Sequence, residues 1–226
     1  MEPELVADTR CEIGENPLWH PTEKRLYWTD IPRGQMYWYN PATGEHQCFY
    51  EGDVVGGFTF QADGSMVLFM ARGTVKILKA GGLTTVIDEI PAERESRFND
   101  VIADQYGRVY CGTMSSPSHP GRLYLLETDG TLRLILDNVA TSNGLGFSRD
   151  RKFVYYTDSG KREIYRFTLH AETGYLSHRE LFVCVPEGEG SPDGMTVDAE
   201  DRVWSARWDG GCIVRHGVDG LVEQRI

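Results

Sequence analysis

The sequence predicts an all-β protein, a β-propeller made of one four-stranded unit repeated along the chain. Three observations predict it. Helical periodicity is almost absent, short apolar strands recur between Gly- and Asp-bearing turns, and one polar register returns at intervals of 41, 43, 44 and 50 residues. The first unit opens with Leu18–His20, a turn, then Arg25–Thr29. Gly57–Phe60 with Met66–Met70, and Val101–Ala103 with Val109–Gly112, open the second and third. Leu145–Phe147 with Phe153–Thr157, and Met195–Val197 with Val203–Ala206, open the fourth and fifth. Outer strands follow at Gln35–Tyr39, Val75–Lys79, Arg122–Glu127, Glu163–Leu169 and Cys212–His216, joined by turns such as Thr128–Asp129–Gly130. The stretch Ile90–Arg97 is too short for a sustained helix.

The register is set by Glu15, Gly56, Asn99, Asn143 and Asp193, each four residues before Trp19, Phe60, Ala103, Phe147 and Val197. A unit of 40–50 residues with four strands cannot bury both faces alone, so neighbouring units stack around an axis. The expectation is a single domain over residues 1–226, with repeats starting near 15, 56, 99, 143 and 193. An irregular β-sandwich would not repeat its turns in step, and an α/β fold needs helices between its strands.

Composition narrows the partners. Twenty-three Lys and Arg against 34 Asp and Glu give a net charge of -11, which disfavours nucleic acid. No apolar run is long enough for a membrane span, and the N-terminus lacks the pattern of a signal peptide. The five cysteines, Cys11, Cys48, Cys111, Cys184 and Cys212, form no CxxC motif. They are expected to be free, which points to the cytoplasm. No P-loop, GxGxxG, HExxH or GxSxG motif is present.

First strands of a propeller line its channel, so residues at one register converge at one depth. Glu15, Asn99, Asn143 and Asp193 then bring oxygen donors together, with Gly56 read as space for substrate or water. Such donors suit a hard divalent cation, Ca²⁺ or Mg²⁺, and also admit Mn²⁺, Zn²⁺ or Fe²⁺. The bland alternative is water held in the channel, or Asn and Asp capping turns. Arg97 offers a forked donor to a substrate, or a salt bridge to Asp100 or Glu95. His119 stands in what reads as an ordinary surface turn, SSPSHPG. Asp30 and Asp158 close matching YWTD and YYTD segments, which points to hydrogen bonding within the blade. Trp204, Arg207 and Trp208 could reach the channel rim, or simply pack between blades.

Several ordered segments carry a resemblance: GENPLWHP at Gly14–Pro21, RFNDVIADQYGRVYCGTM at Arg97–Met114, SNGLGFSRD at Ser142–Asp150, YYTDSG at Tyr155–Gly160 and SPDGMTVDAEDRVWSA at Ser191–Ala206. In these, nearly the whole chain resembles the senescence marker protein (regucalcin), gluconolactonase and sugar lactonase family. The resemblance implies a six-bladed propeller that hydrolyses an aldonolactone such as gluconolactone to its aldonic acid. It implies one divalent metal, with calcium or zinc foremost, on Glu15, Asn143 and Asp193. It also implies substrate contacts from Arg97 and Asn99, and Asp193 is taken as the group that helps deprotonate water. The loop before Gly121, which holds a substrate-binding acidic residue in some members, is here SSPSHPG.

Two other classes stay open: a related metal-dependent hydrolase of phosphotriesters or less polar lactones, and a non-enzymatic propeller that binds calcium or a protein. A monomer or dimer is expected. Six units would need roughly 250–300 residues, so the C-terminal blade is expected to be missing. Glu4–Thr9 would then be a closing strand with no sheet to join.

Overall fold

The computed structural model describes residues 3–226. Its first blade holds β1 (Gly14–His20), β2 (Arg25–Asp30), β3 (Gln35–Tyr39) and β4 (His46–Glu51), and its second β5 (Val55–Phe60), β6 (Met66–Met70), β7 (Val75–Lys79) and β8 (Gly82–Ile87). The third holds β9 (Phe98–Ala103), β10 (Val109–Thr113), β11 (Gly121–Leu126) and β12 (Leu132–Val139). The fourth holds β13 (Ser142–Phe147), β14 (Phe153–Asp158), β15 (Glu163–His170) and β16 (Tyr175–Cys184). The fifth holds β17 (Ser191–Val197), β18 (Val203–Trp208), β19 (Cys212–His216) and β20 (Val222–Arg225). Each sheet is an antiparallel meander in sequence order, and first strands touch in the series β1, β5, β9, β13, β17.

This is an all-β propeller with five blades, as the repeat predicts. The six-bladed form with one blade lacking finds no support in it: among the described residues, five four-stranded sheets form. Glu4–Thr9 forms no strand, and Ile90–Arg97 yields only a 3-10 turn at Pro91–Glu93.

The hairpins between first and second strands are built by short polar side chains. Asp104 Oδ1 accepts the N–H groups of Tyr106 and Arg108 at 2.8 and 3.0 Å, and Gly107 supplies a φ of +82°. Asp198 repeats this in the fifth blade, accepting from Glu200 and Arg202.

The hydrophobic cores lie between blades. Tyr27 and Met36 meet Phe58 and Leu68 across the first pair, and Phe69 meets Phe98 and Cys111 across the second. Tyr110 and Leu125 meet Phe147 and Tyr156 across the third pair, whereas Val183 and Val185 with Met195 make a smaller contact at the fourth. Each blade therefore depends on its neighbour for burial. All five cysteines are free. Among the described residues no helix is long and apolar enough to cross a membrane.

Candidate active site

The site lies where the five first strands begin, and the chain entering two of them is tied down first. Asp30, fully buried, accepts the N–H groups of Glu12 and Ile13 at 3.0 and 3.1 Å, just ahead of Glu15. Asp158 does the same for Ala140 and Thr141 at 3.2 and 3.0 Å, just ahead of Asn143. The blade-bonding reading of the two TD segments is thus what the structure shows.

Every first strand then departs from regular pairing close to its register residue. The irregularities fall between Glu15 and Leu18, Val55 and Gly57, Ser142 and Leu145, and Pro192 and Met195. In the third blade Phe98 pairs with Thr113 and Val101 with Cys111, so Asn99 and Asp100 together face Gly112. A bulge of this kind re-aims a side chain that strict alternation would send elsewhere.

The strands also approach closely. A Cβ at Gly144 would lie 2.5 Å from Asp193 O, and one at Gly56 would lie 1.9 Å from Phe98 O. Gly56 is therefore a point of backbone contact between the second and third blades, which corrects its reading as space for substrate.

The amides around the channel link neighbouring blades. Asn16 accepts from Phe58 N and donates to Phe58 O, both at 3.3 Å. Asn99 Nδ2 donates to Ser142 O at 2.9 Å, and Asn143 Nδ2 donates to Asp193 Oδ1. Arg97 Nη1 donates to Asn99 Oδ1 at 2.7 Å and to Phe98 O at 2.9 Å. These acceptors replace the salt bridge to Asp100 or Glu95 that adjacency in sequence suggests.

The carboxylates share one electrostatic environment. Burial, then the neighbouring Asp100 and Asp193, push Glu15 up from 4.5 to about 8, with Arg97 opposing. Burial also raises Asp100, with Asp193 adding and Arg97 opposing. Asp193 is raised by burial, against the N–H donated by Asn143. Three half-buried carboxylates crowd together, with Arg97 opposing only at Glu15 and Asp100, and a divalent cation fits such a set. Among the described residues no three His, Cys, Asp or Glu side chains form a metal-holding cluster. The set Glu15, Asn143 and Asp193 would instead combine two carboxylates with an amide oxygen.

Asn16 is a site residue that sequence reasoning passes over, and Asp100 enters it only as a salt-bridge partner for Arg97. Their signal is the position after the register, which reads Asn16, Gly57, Asp100, Gly144 and Gly194: a polar side chain or none. Asp100 Oδ2 lies 3.5 Å from where a Cβ on Gly194 would stand, so its carboxylate reaches toward the fifth blade.

Trp204 does not build the rim, whereas Arg207 and Trp208 pair with Pro192 and Ser191 at the end of the fifth blade where Asp193 stands. Trp204 Nε1 donates to Asp198 at 2.9 Å on the far hairpin, and Trp208 is exposed. Arg207 is buried, with Nη2 2.9 Å from His216 Nε2.

The family model described as SMP-30/Gluconolactonase/LRE-like region matches residues 13–226. The chain belongs to this family. It is 49% identical over 218 residues to pentonolactonase XacC of Haloferax volcanii, covering 95% of this chain and 73% of that protein. It is 32% identical to a 6-deoxy-6-sulfogluconolactonase of Pseudomonas putida, covering 95% of this chain and 75% of that one. The structure of a calcium-binding regucalcin from Agrobacterium tumefaciens superposes with a TM-score of 0.87 at 23% identity, covering 94% of this chain and 73% of that one. That last likeness speaks for the fold.

Proposed function

We propose that this family member is a lactonase that opens a sugar lactone, an aldonolactone, to the corresponding aldonic acid with the help of one divalent cation. The observation that carries the reading is the meeting of Glu15, Asn143 and Asp193 beside Arg97. The 49% identity to a pentonolactonase supports a five-carbon aldonolactone as the first substrate to try. The polar lining supplied by Glu15, Asp100, Arg97 and Asn99 favours a polyhydroxylated ring over an apolar lactone or a phosphotriester. The free cysteines support a cytoplasmic location.

Glu15, Asn143 and Asp193 would hold the cation, which when bound supplies Lewis acidity toward the lactone carbonyl and the attacking water. The chain's own groups do the rest. Asn99 is engaged at both ends, by Ser142 O and by Arg97, so it acts chiefly to fix the guanidinium. The remaining N–H groups of Arg97 point the fork at ring hydroxyls. Asp100 accepts from a hydroxyl on the side of Gly194, where no side chain intrudes.

Asp193, oriented by the Asn143 amide, accepts the proton of the attacking water. The water oxygen bonds to the carbonyl carbon, the ring C–O bond breaks, and the proton ends on the departing ring oxygen. The products are one carboxylic acid and one new hydroxyl.

The test is a panel of aldonolactones, read against spontaneous hydrolysis, with each divalent metal supplied in turn. Asp193→Ala and Asn143→Ala should lose metal binding and hydrolysis together while thermal unfolding stays cooperative. Full activity in a metal-stripped double variant would refute the proposal.

A further inference from the structure

One cluster of titratable side chains beside the channel takes no part in the lactone chemistry: Glu93, His119, Arg122 and Tyr124. Glu93 is fully buried, and its backbone carbonyl accepts from Ser96 N at 2.9 Å, one residue ahead of Arg97. Its Oε1 accepts from the Tyr124 hydroxyl at 2.7 Å and from Arg122 Nη1 at 2.9 Å. Its Oε2 is buried without a partner among the described residues.

His119 Nδ1 lies 2.7 Å from Pro120 O. A carbonyl only accepts, so Nδ1 carries the hydrogen and Nε2 of the neutral ring presents a lone pair. That Nε2 is also buried without a partner, 4.0 Å from Glu93 Oε2. Two acceptors facing one another cannot bond, and a buried acceptor left alone is destabilising.

A single donor with two hydrogens satisfies both. A water oxygen about 2.8 Å from each acceptor would see them about 90° apart, close to water's own angle. A metal ion is disfavoured, because the Arg122 guanidinium already stands 2.9 Å from Glu93 Oε1 and 3.4 Å from His119 Nδ1. An imidazolium bonding directly would have to close the separation to about 3 Å.

We infer that one structural water donates to both Glu93 Oε2 and His119 Nε2, and that this bridge makes His119 a positioning residue for the loop beside Arg97. The loop has two fastenings. At its root Met114 N donates to Arg97 O at 3.0 Å, and Ser96 Oγ donates to Met114 O at 2.5 Å. At its tip Ser116 N donates to His119 O at 2.9 Å, so holding the imidazole holds the turn. Released at the tip, the loop pulls on the backbone carbonyl of Arg97 itself. Its effect on catalysis rests on the lactonase reading, through Arg97; the bridge does not.

The experiment therefore has readouts of both kinds. A crystal structure of the wild-type protein should show an ordered water within hydrogen-bond distance of both atoms. In His119→Ala, amide exchange over residues 114–120 should quicken at least tenfold, and KM for the lactone should rise several-fold at unchanged kcat. His119→Gln, whose amide oxygen accepts the same water hydrogen, should restore both. Direct contact between Nε2 and Oε2 with no water, or exchange unchanged in His119→Ala, would overturn the inference. If wild-type protein hydrolyses no lactone, the functional reading fails while water and exchange still judge the bridge.

Discussion

The contact between β13 and β17 is the tightest link between the metal-ligand candidates, and Gly144→Ala tests it. The added Cβ would stand 2.5 Å from Asp193 O, 2.8 Å from Met195 N and 3.0 Å from Gly194 C. All three neighbours are backbone, so nothing can rotate away; the two strands must part by about 0.9 Å to bring the closest of these contacts to an ordinary 3.4 Å. Overpacking of this kind costs about 1–3 kcal/mol, and for a chain of this size each kcal/mol lowers Tm by about 2–4 °C. The same shift separates Asn143 from Asp193, and a misplacement approaching 1 Å costs about a hundredfold in rate. Thermal unfolding and initial rates of lactone hydrolysis measure the two effects. Gly82→Ala, where the nearest atom is 3.5 Å away, is the matched control and should change neither. Wild-type Tm and wild-type rate in Gly144→Ala would show that the fourth and fifth blades do not meet as described.

Further outcomes are expected from the charges and the caps. Glu15, raised to about 8, binds more protons folded than unfolded between its ordinary 4.5 and that value. Stability of the metal-free protein should then fall as pH rises through this window. A divalent cation should restore most at the upper end, and Glu15→Gln should flatten the slope; a Tm that stays level from pH 5 to 8 contradicts the charge cluster. Arg97→Lys loses the fork held by Phe98 O and Asn99 Oδ1 and should raise KM about tenfold to a hundredfold with kcat little changed, in steady-state assays. Asp158→Ala leaves the N–H groups of Ala140 and Thr141 unpaired and should cost about 2–4 kcal/mol in urea unfolding.

The legible part of this protein is whatever repeats. Five polar or glycine positions at matching intervals mark the start of each first strand, and alternation of apolar residues marks the remainder of the strand. That suffices to bring Glu15, Asn99, Asn143 and Asp193 to one channel. Roles are harder to read than places. Asn99 looks like a free donor in the sequence, yet both ends of its amide are spent on Ser142 and Arg97. Asp100 looks like the partner of Arg97 because it is three residues away, yet the bulge sends it toward Gly194. His119 looks like part of a surface turn, and its imidazole meets Glu93, twenty-six residues earlier, only because both flank β11.

The sequence by itself determined the all-β class, the four-stranded repeat and the ring of oxygen donors, because strand periodicity and turn chemistry are local. The tertiary structure alone decided that Gly56 marks close approach. It also decided which amides bind neighbouring blades and which carboxylates are left facing one another. Those outcomes depend on bulges and on strand separations of a few ångströms between different blades, and such distances are set by packing across the blades.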